Sequence, residues 1–124
     1  MLSVIICTYN RERYIRPLLE SLVANTLSKS EYEILLVDNN CKDNTRAVCR
    51  EFAEEHPDVT FRYVEEHEQG LSAAKNCGIR EAKGDLIIMF CRKLFTDFLS
   101  VFIYRKLRVQ SYRLQYRRFV IVTD

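Results

Sequence analysis

Through residues 1–90, short apolar runs alternate with stretches whose apolar residues recur at helical spacing. Residues 2–7 are mostly aliphatic and β-branched, with no polar alternation. That is the pattern of a strand buried on both faces, as in a parallel sheet. Ile15, Leu18, Leu19, Leu22 and Val23 then mark one face of a helix. Pro17 suits such a helix in its first turn, where amide hydrogens have no helical partner. Residues 34–37 predict a second buried strand. Asp43, Asn44 and Thr45 offer N-caps to a second helix carrying Ala47, Val48 and Phe52, with Pro57 beyond its end. Val59, Phe61 and Tyr63 alternate with polar residues, which predicts a third strand nearer an edge. Leu71, Ala74, Gly78, Ile79 and Ala82 mark a third helix, whose small residues allow close approach to a sheet. Residues 86–90 predict a fourth buried strand. The order βαβαβαβ predicts an α/β fold: a Rossmann-like parallel sheet with right-handed crossovers and helices on its faces.

Beyond residue 90 the character changes. Residues 1–90 hold 11 Lys and Arg against 15 Asp and Glu, whereas residues 91–124 hold 8 against 2. The tail has no Gly or Pro, and it interleaves aromatic with basic residues. Leu94, Phe98, Val101 and Phe102 fit one face of a basic amphipathic helix. The length of 124 residues fits a single domain, without room for a second, acceptor-binding domain. No apolar run reaches the roughly 20 residues of a membrane span, and the apolar start lacks the charged region of a signal peptide. The five cysteines form no C-x-x-C pair. They read as reduced, mostly buried thiols of a cytoplasmic protein, in solution or peripheral at a membrane.

In such sheets ligands sit at the carboxyl ends of the strands. Thr8, Tyr9, Asn10 and Arg11 follow the first strand, Asp38, Asn39 and Asn40 follow the second, and Gly70, Ser72 and Lys75 open the third helix. An aromatic ring such as Tyr9 can stack on a base. Asp38 can accept from base N–H or sugar hydroxyl groups, and Asn39 can both donate and accept. A helix N-terminus suits phosphate, and Lys75 adds positive charge. Each residue also has a plain structural reading: Tyr9 as strand-end packing, Asp38 as a turn or helix cap, Lys75 as a solvated charge. The dinucleotide fingerprint G-x-G-x-x-G is absent after the first strand, which argues against a dehydrogenase.

Three blocks, SVIICTYNR (3–11), EILLVDNNCKDNT (33–45) and GLSAAKNCGIREAKGDLII (70–88), together resemble the N-terminal half of the family-two glycosyltransferases, nucleotide-sugar-dependent enzymes of the GT-A fold. The resemblance implies a nucleotide-sugar-binding half over residues 1–90 and a tail over residues 91–124. It assigns the stretch Cys7-Thr8-Tyr9-Asn10, where Pro-Thr-Tyr-Asn is usual, to the loop that wraps the base, and it counts Arg11 with Cys7, Thr8 and Tyr9 among the nucleotide-binding residues. It places Asp38 and Asn39 on the acidic pair that contacts base and ribose, with Asn as a variant of the second member. Lys75 falls where an arginine beside the diphosphate is usual, and lysine lacks the bidentate fork. In the family the fourth strand continues into carboxylates that hold Mg or Mn. Here it continues Met89-Phe90-Cys91-Arg92-Lys93, with no carboxylate before Asp97.

The resemblance therefore implies a donor-binding chain without metal ligands or catalytic residues of its own, whose partner is a weakly bound nucleoside-diphosphate sugar. Nucleic acid is not the expected partner. Self-association through an uncovered sheet edge is expected. The alternative is a non-catalytic module whose basic tail contacts nucleic acid, anionic lipid or a protein. The abrupt change of composition near codon 89 points to a change of reading frame as the tail's origin.

Overall fold

The structure, a computed structural model, describes residues 1–92, 99–107 and 115–121. The elements follow the order β1 (Leu2–Thr8), α1 (Glu12–Val23), β2 (Tyr32–Asp38), α2 (Thr45–Glu55), β3 (Thr60–Glu65), α3 (Leu71–Glu81), β4 (Leu86–Arg92), β5 (Leu99–Leu107) and β6 (Gln115–Ile121). They build one sheet in the order β3-β2-β1-β4-β5-β6. β1 pairs in parallel with β2 and β4, and β2 with β3. This is the Rossmann-like α/β arrangement that the alternation predicts.

The side-chain period of two divides each central strand between two cores. Ile5, Leu35, Val37, Ile87 and Met89 pack under α3 with Ala74 and Cys77. Ile6, Ile34 and Leu36 pack under α1 and α2 with Ile15, Leu19 and Phe52. Every residue of β2 is buried, which accounts for its unbroken apolar run. β3 is half-buried and lies at the sheet edge, as its alternation predicts. α3 comes so close to β1 that a Cβ on Gly78 would stand 2.6 Å from Ile5 Cγ2. That is the close approach its small residues anticipate.

Two expectations need correction. Pro17 lies inside α1, beyond its first turn. There it removes the amide that would bond the carbonyl of Arg13, and burial of Ile15 and Leu19 offsets the loss. The tail segment expected to be a helix is extended: residues 99–107 form β5, antiparallel to both β4 and β6. Val101 and Phe102 therefore sit on a strand, and Leu94 and Phe98 lie outside the described residues. A segment rich in Val, Ile, Phe and Tyr suits a pleated surface better than a helix. β5 pairs with β4 from Leu86↔Arg105 to Arg92↔Leu99, and the sheet ends at β3 on one side and β6 on the other. Among the described residues, no helix is long and apolar enough to cross a membrane.

At the amino ends of the strands, a buried carboxylate fastens three elements. Glu33 is fully buried. Its Oε1 accepts from Ser3 Oγ at 2.7 Å and from the Lys83 amide at 2.8 Å. Its Oε2 accepts from Arg62 Nε at 3.2 Å. Ser3 Oγ in turn accepts from the Gly84 amide at 2.8 Å. Gly84 lies so near β1 that a Cβ there would meet the Met1 carbonyl at 2.4 Å. Removing Glu33 leaves the Ser3 hydroxyl and the Lys83 amide without their acceptor, at about 1–3 kcal/mol for each buried group left unpaired. Glu33→Ala should accordingly lower stability by about 2–4 kcal/mol in urea titrations, and a loss no larger than that of an exposed substitution would contradict this role.

Candidate functional site

The carboxyl ends of β1 and β2 are stitched together by main-chain and side-chain bonds. The Thr8 carbonyl accepts from the Asn39 amide at 3.0 Å and from Cys41 Sγ at 3.5 Å. After each strand the chain turns through a left-handed residue, Asn10 at φ 50° and Asn40 at φ 61°. Asparagine is among the side chains that tolerate this region best. The two loops then bond each other: Asn10 Oδ1 accepts from the Lys42 amide at 2.8 Å, and Cys41 Sγ accepts from the Asn10 amide at 3.4 Å.

The helices that follow start side by side and share their caps. Asp43 Oδ2 accepts from the Glu12 amide at 3.1 Å, and Glu12 Oε2 accepts from the Asn44 amide at 3.0 Å. Asp43 Oδ1 also accepts from Thr45 Oγ1 at 2.6 Å. Asn44 occupies the N-cap position of α2 but makes no side-chain cap bond. The adjacent Asp43 carboxylate serves instead, as favours a negative charge at helix N-termini.

Asp38 is 7% exposed. Its Oδ1 accepts from the Cys41 amide at 2.7 Å, and its Oδ2 accepts from the Tyr63 hydroxyl. It thus caps a turn, as the structural reading holds, while it also lines a polar cleft of about 170 Å³ with Asn40, Cys41, Glu65 and His67. Arg46 stacks 5.5 Å above the Tyr63 ring and pairs with Glu65. Asn39, 4% exposed, turns the other way. Its Nδ2 donates to the carbonyls of Glu66 and Glu68, and its Oδ1 accepts from the Gly70 amide.

Cys7, Thr8 and Arg11 come together in a second, largely apolar pocket of about 140 Å³ between β1, α1 and Phe90. Thr8 Oγ1 is buried there without a hydrogen-bond partner. Tyr9 is half-buried at the end of β1, and Lys75 is half-buried one turn into α3. The structure therefore joins Thr8, Asp38, Asn39 and Gly70 directly, and it places Cys7 and Arg11 around the corner. Tyr63 and Cys41 escape a reading of the sequence. The alternation around Tyr63 announces a strand, and only the parallel register, with Leu36 opposite Tyr63, brings its hydroxyl to Asp38.

Cys7, Cys41, Cys49 and Cys77 are free thiols. Burial pushes the Cys41 thiol up to about 11, with the Asp38 carboxylate adding to the shift, and pushes Cys49 up to about 12. Both are neutral at physiological pH and are not activated nucleophiles. Among the described residues, Glu20, Glu55 and His56 could converge on a metal ion. Arg16 already pairs with both carboxylates, at the end of α1 and α2 away from the strand-end cleft.

The glycosyl transferase family 2 model matches residues 3–91. The chain belongs to that family. Glycosyltransferase AglE of Haloferax volcanii is 35% identical over 85 residues, covering 68% of this chain and 28% of its own length. The mannosyltransferase PcManGT from Pyrobaculum calidifontis, solved with GDP-Man and Mn2+, superimposes with a TM-score of 0.69 at 31% identity, over 73% of this chain and 26% of that one. S. aureus TarS residues 1–349, solved with UDP-GlcNAc, gives 0.62 at 27% identity over 73% and 26%. The chain thus spans little more than a quarter of the length of these relatives, and the likeness to them establishes the GT-A arrangement of its sheet.

A thiol whose folded pKa is raised stabilises the fold fully below its unfolded value, and that contribution disappears as pH rises through the folded value. For Cys41 and Cys49 the loss runs from the ordinary 9.0 up to about 11 and 12. The thermal midpoint should fall between pH 8 and pH 10.5, and it should fall less in a Cys41→Ser/Cys49→Ala double variant. Parallel falls in parent and variant would show that these thiols do not drive the alkaline loss.

Proposed function

We propose that these 124 residues hold the donor side of a glycosyltransferase: they bind the nucleoside diphosphate of a nucleotide sugar and do not by themselves transfer the sugar. The observation that carries this reading is the Asp38 carboxylate. It is held at the floor of a polar cleft by the Cys41 amide and the Tyr63 hydroxyl, beside the β1 loop. A carboxylate fixed in this way keeps lone pairs for base N–H or ribose hydroxyl groups. Tyr9 supplies a stacking face, Cys7 and Thr8 supply the backbone of the wrapping loop, and Arg11 and Lys75 bring positive charge toward the phosphates. The relatives solved with GDP-Man and UDP-GlcNAc support the class of ligand.

The mannosyltransferase relative was solved in complex with Mn2+ as well as GDP-Man. The described residues that end β4 do not fit such an ion. β4 runs beside β1 with Phe90 opposite Ile6 and Cys91 opposite Cys7, and it ends at Arg92. Divalent magnesium and manganese take carboxylate, carbonyl and water oxygens. Phenylalanine and cysteine side chains offer no hard oxygen, and arginine repels a cation. The next carboxylate in the sequence, Asp97, lies outside the described residues. Sugar transfer also needs a base for the acceptor hydroxyl, worth about 10²–10⁴-fold in rate, and the resemblance supplies none within these residues.

Calorimetry with UDP and GDP should give dissociation constants of roughly millimolar order, equivalent to about −4 kcal/mol. Asp38→Ala should weaken binding by about tenfold or more, because it removes hydrogen bonds to a charged group, and Tyr9→Ala should weaken it as well. Manganese should not tighten binding beyond its own chelation of the diphosphate, and no sugar should leave UDP-GlcNAc above a buffer blank. Variants that bind like the parent, or metal-dependent turnover, would overturn the assignment.

A further inference from the structure

We infer that Tyr63 is a positioning residue of the strand-end site: its hydroxyl holds the Asp38 carboxylate in the orientation that meets base or ribose, and it acts on the bound nucleotide only through that carboxylate. This rests on the nucleotide reading of the site. Two donors from different elements reach Asp38. Its Oδ1 accepts from the Cys41 amide at 2.7 Å, in the turn that follows β2, and its Oδ2 accepts from the Tyr63 hydroxyl on β3. Rotation about the last bond of an aspartate side chain is soft, without the three sharp wells of aliphatic torsions. A donor at one oxygen leaves that rotation open, and a second donor at the other oxygen closes it. An ionised carboxylate offers about four lone-pair sites, so two such bonds fix its plane and still leave acceptors for a ligand in the cleft.

The register of the sheet explains why a tyrosine serves here. β2 and β3 pair in parallel, with Leu36 opposite Tyr63 and Asp38 opposite Glu65. Side chains alternate along a strand, so Tyr63 shares a face with Leu36 and Asp38. It stands two residues short of Asp38, a step of about 6.6 Å along the strand. A serine or threonine hydroxyl would fall short of the carboxylate, whereas a tyrosine carries its hydroxyl across that step. Glu65 is level with Asp38 but cannot donate to it when ionised, and it pairs with Arg46 instead.

The ring that carries the hydroxyl is itself held. Tyr63 packs against the buried cluster that includes Ile6, Leu36 and Phe52. The Arg46 guanidinium, from the first turn of α2, lies 5.5 Å from the ring centroid, a cation–π contact. Phenylalanine at position 63 would keep the ring, its packing and the Arg46 contact, and would lack only the hydroxyl. Tyr63→Phe therefore isolates the bond to Asp38.

The experiment is a double-mutant cycle read by NMR titration of the full chain with UDP. Tyr63→Phe should weaken UDP binding about three- to tenfold, within the range of coupling between contacting residues. In the Asp38→Ala background the same change should alter affinity by less than about twofold. An equal loss in both backgrounds would show that Tyr63 acts independently of Asp38, and an unchanged affinity in Tyr63→Phe alone would show that the bond does not serve binding. Either result overturns the inference. The side-chain carboxyl 13C resonances provide a readout without ligand. In Tyr63→Phe the Asp38 resonance should move, while that of Glu33, at the other end of β2, stays at its parent position. An Asp38 resonance that stays in place would overturn the positioning claim. A parent chain that does not bind UDP would sink the nucleotide reading, and the carboxyl resonance would still decide whether Tyr63 holds Asp38.

Discussion

A strand buried on both faces leaves its side chains no solvent side, and polar groups at its ends must find partners in the neighbouring loops. β2 meets this constraint most completely, since all seven of its residues are buried. At its amino end Glu33 gathers Ser3, Arg62 and the turn into β4. At its carboxyl end Asp38 and Asn39 gather the β1 loop, β3 and the approach to α3. The amino end makes a closed, fully paired network whose role is to hold the sheet together. The carboxyl end has the same kind of bonding but opens on a cleft, and the nucleotide reading depends on that difference.

The architecture was legible because its signals are periodic. Unbroken runs gave β1, β2 and β4, helical spacing gave α1 to α3, and alternation gave an edge strand in β3. Pro17 shows where local rules yield: burial of Ile15 and Leu19 carries α1 past a residue that interrupts its hydrogen bonds. The tail shows the converse. Val101 and Phe102 lie on apolar spacing that fits a helix by count, but a free edge on β4 offers backbone partners to β-branched and aromatic residues, and they pair as a strand. Long-range polar contacts were not legible at all. Glu33 and Arg62 meet only because β2 and β3 pair in a register that puts both on the α3 face.

The site was legible in position more than in role. Asp38 and the residues after β1 stand at the strand ends as the topology requires. Asn39 reads from sequence as half of a ligand-binding pair, and the bonds of its side chain to the loop before α3 carry no signal in the sequence. Tyr63 carries no motif, yet it orients Asp38. The proposed lack of chemistry beyond binding depends on β4, which ends in this sequence with Phe90, Cys91 and Arg92. Raised thiols at Cys41 and Cys49 keep cysteine chemistry out of the cleft. What remains, on the reading proposed above, is a shaped, hydrogen-bonded receptor for a nucleoside diphosphate.

The central claim is that the ends of β1 and β2 and the start of α3 act as one receptor. Amide chemical shifts recorded during titration with UDP test it most directly. The account predicts that Tyr9 to Arg11, Asp38 to Cys41 and Gly70 to Ser72 move together along one binding curve, while Glu20, Glu55 and His56 at the far ends of α1 and α2 stay still. Shifts centred on those far residues, or none at saturating ligand, would contradict it.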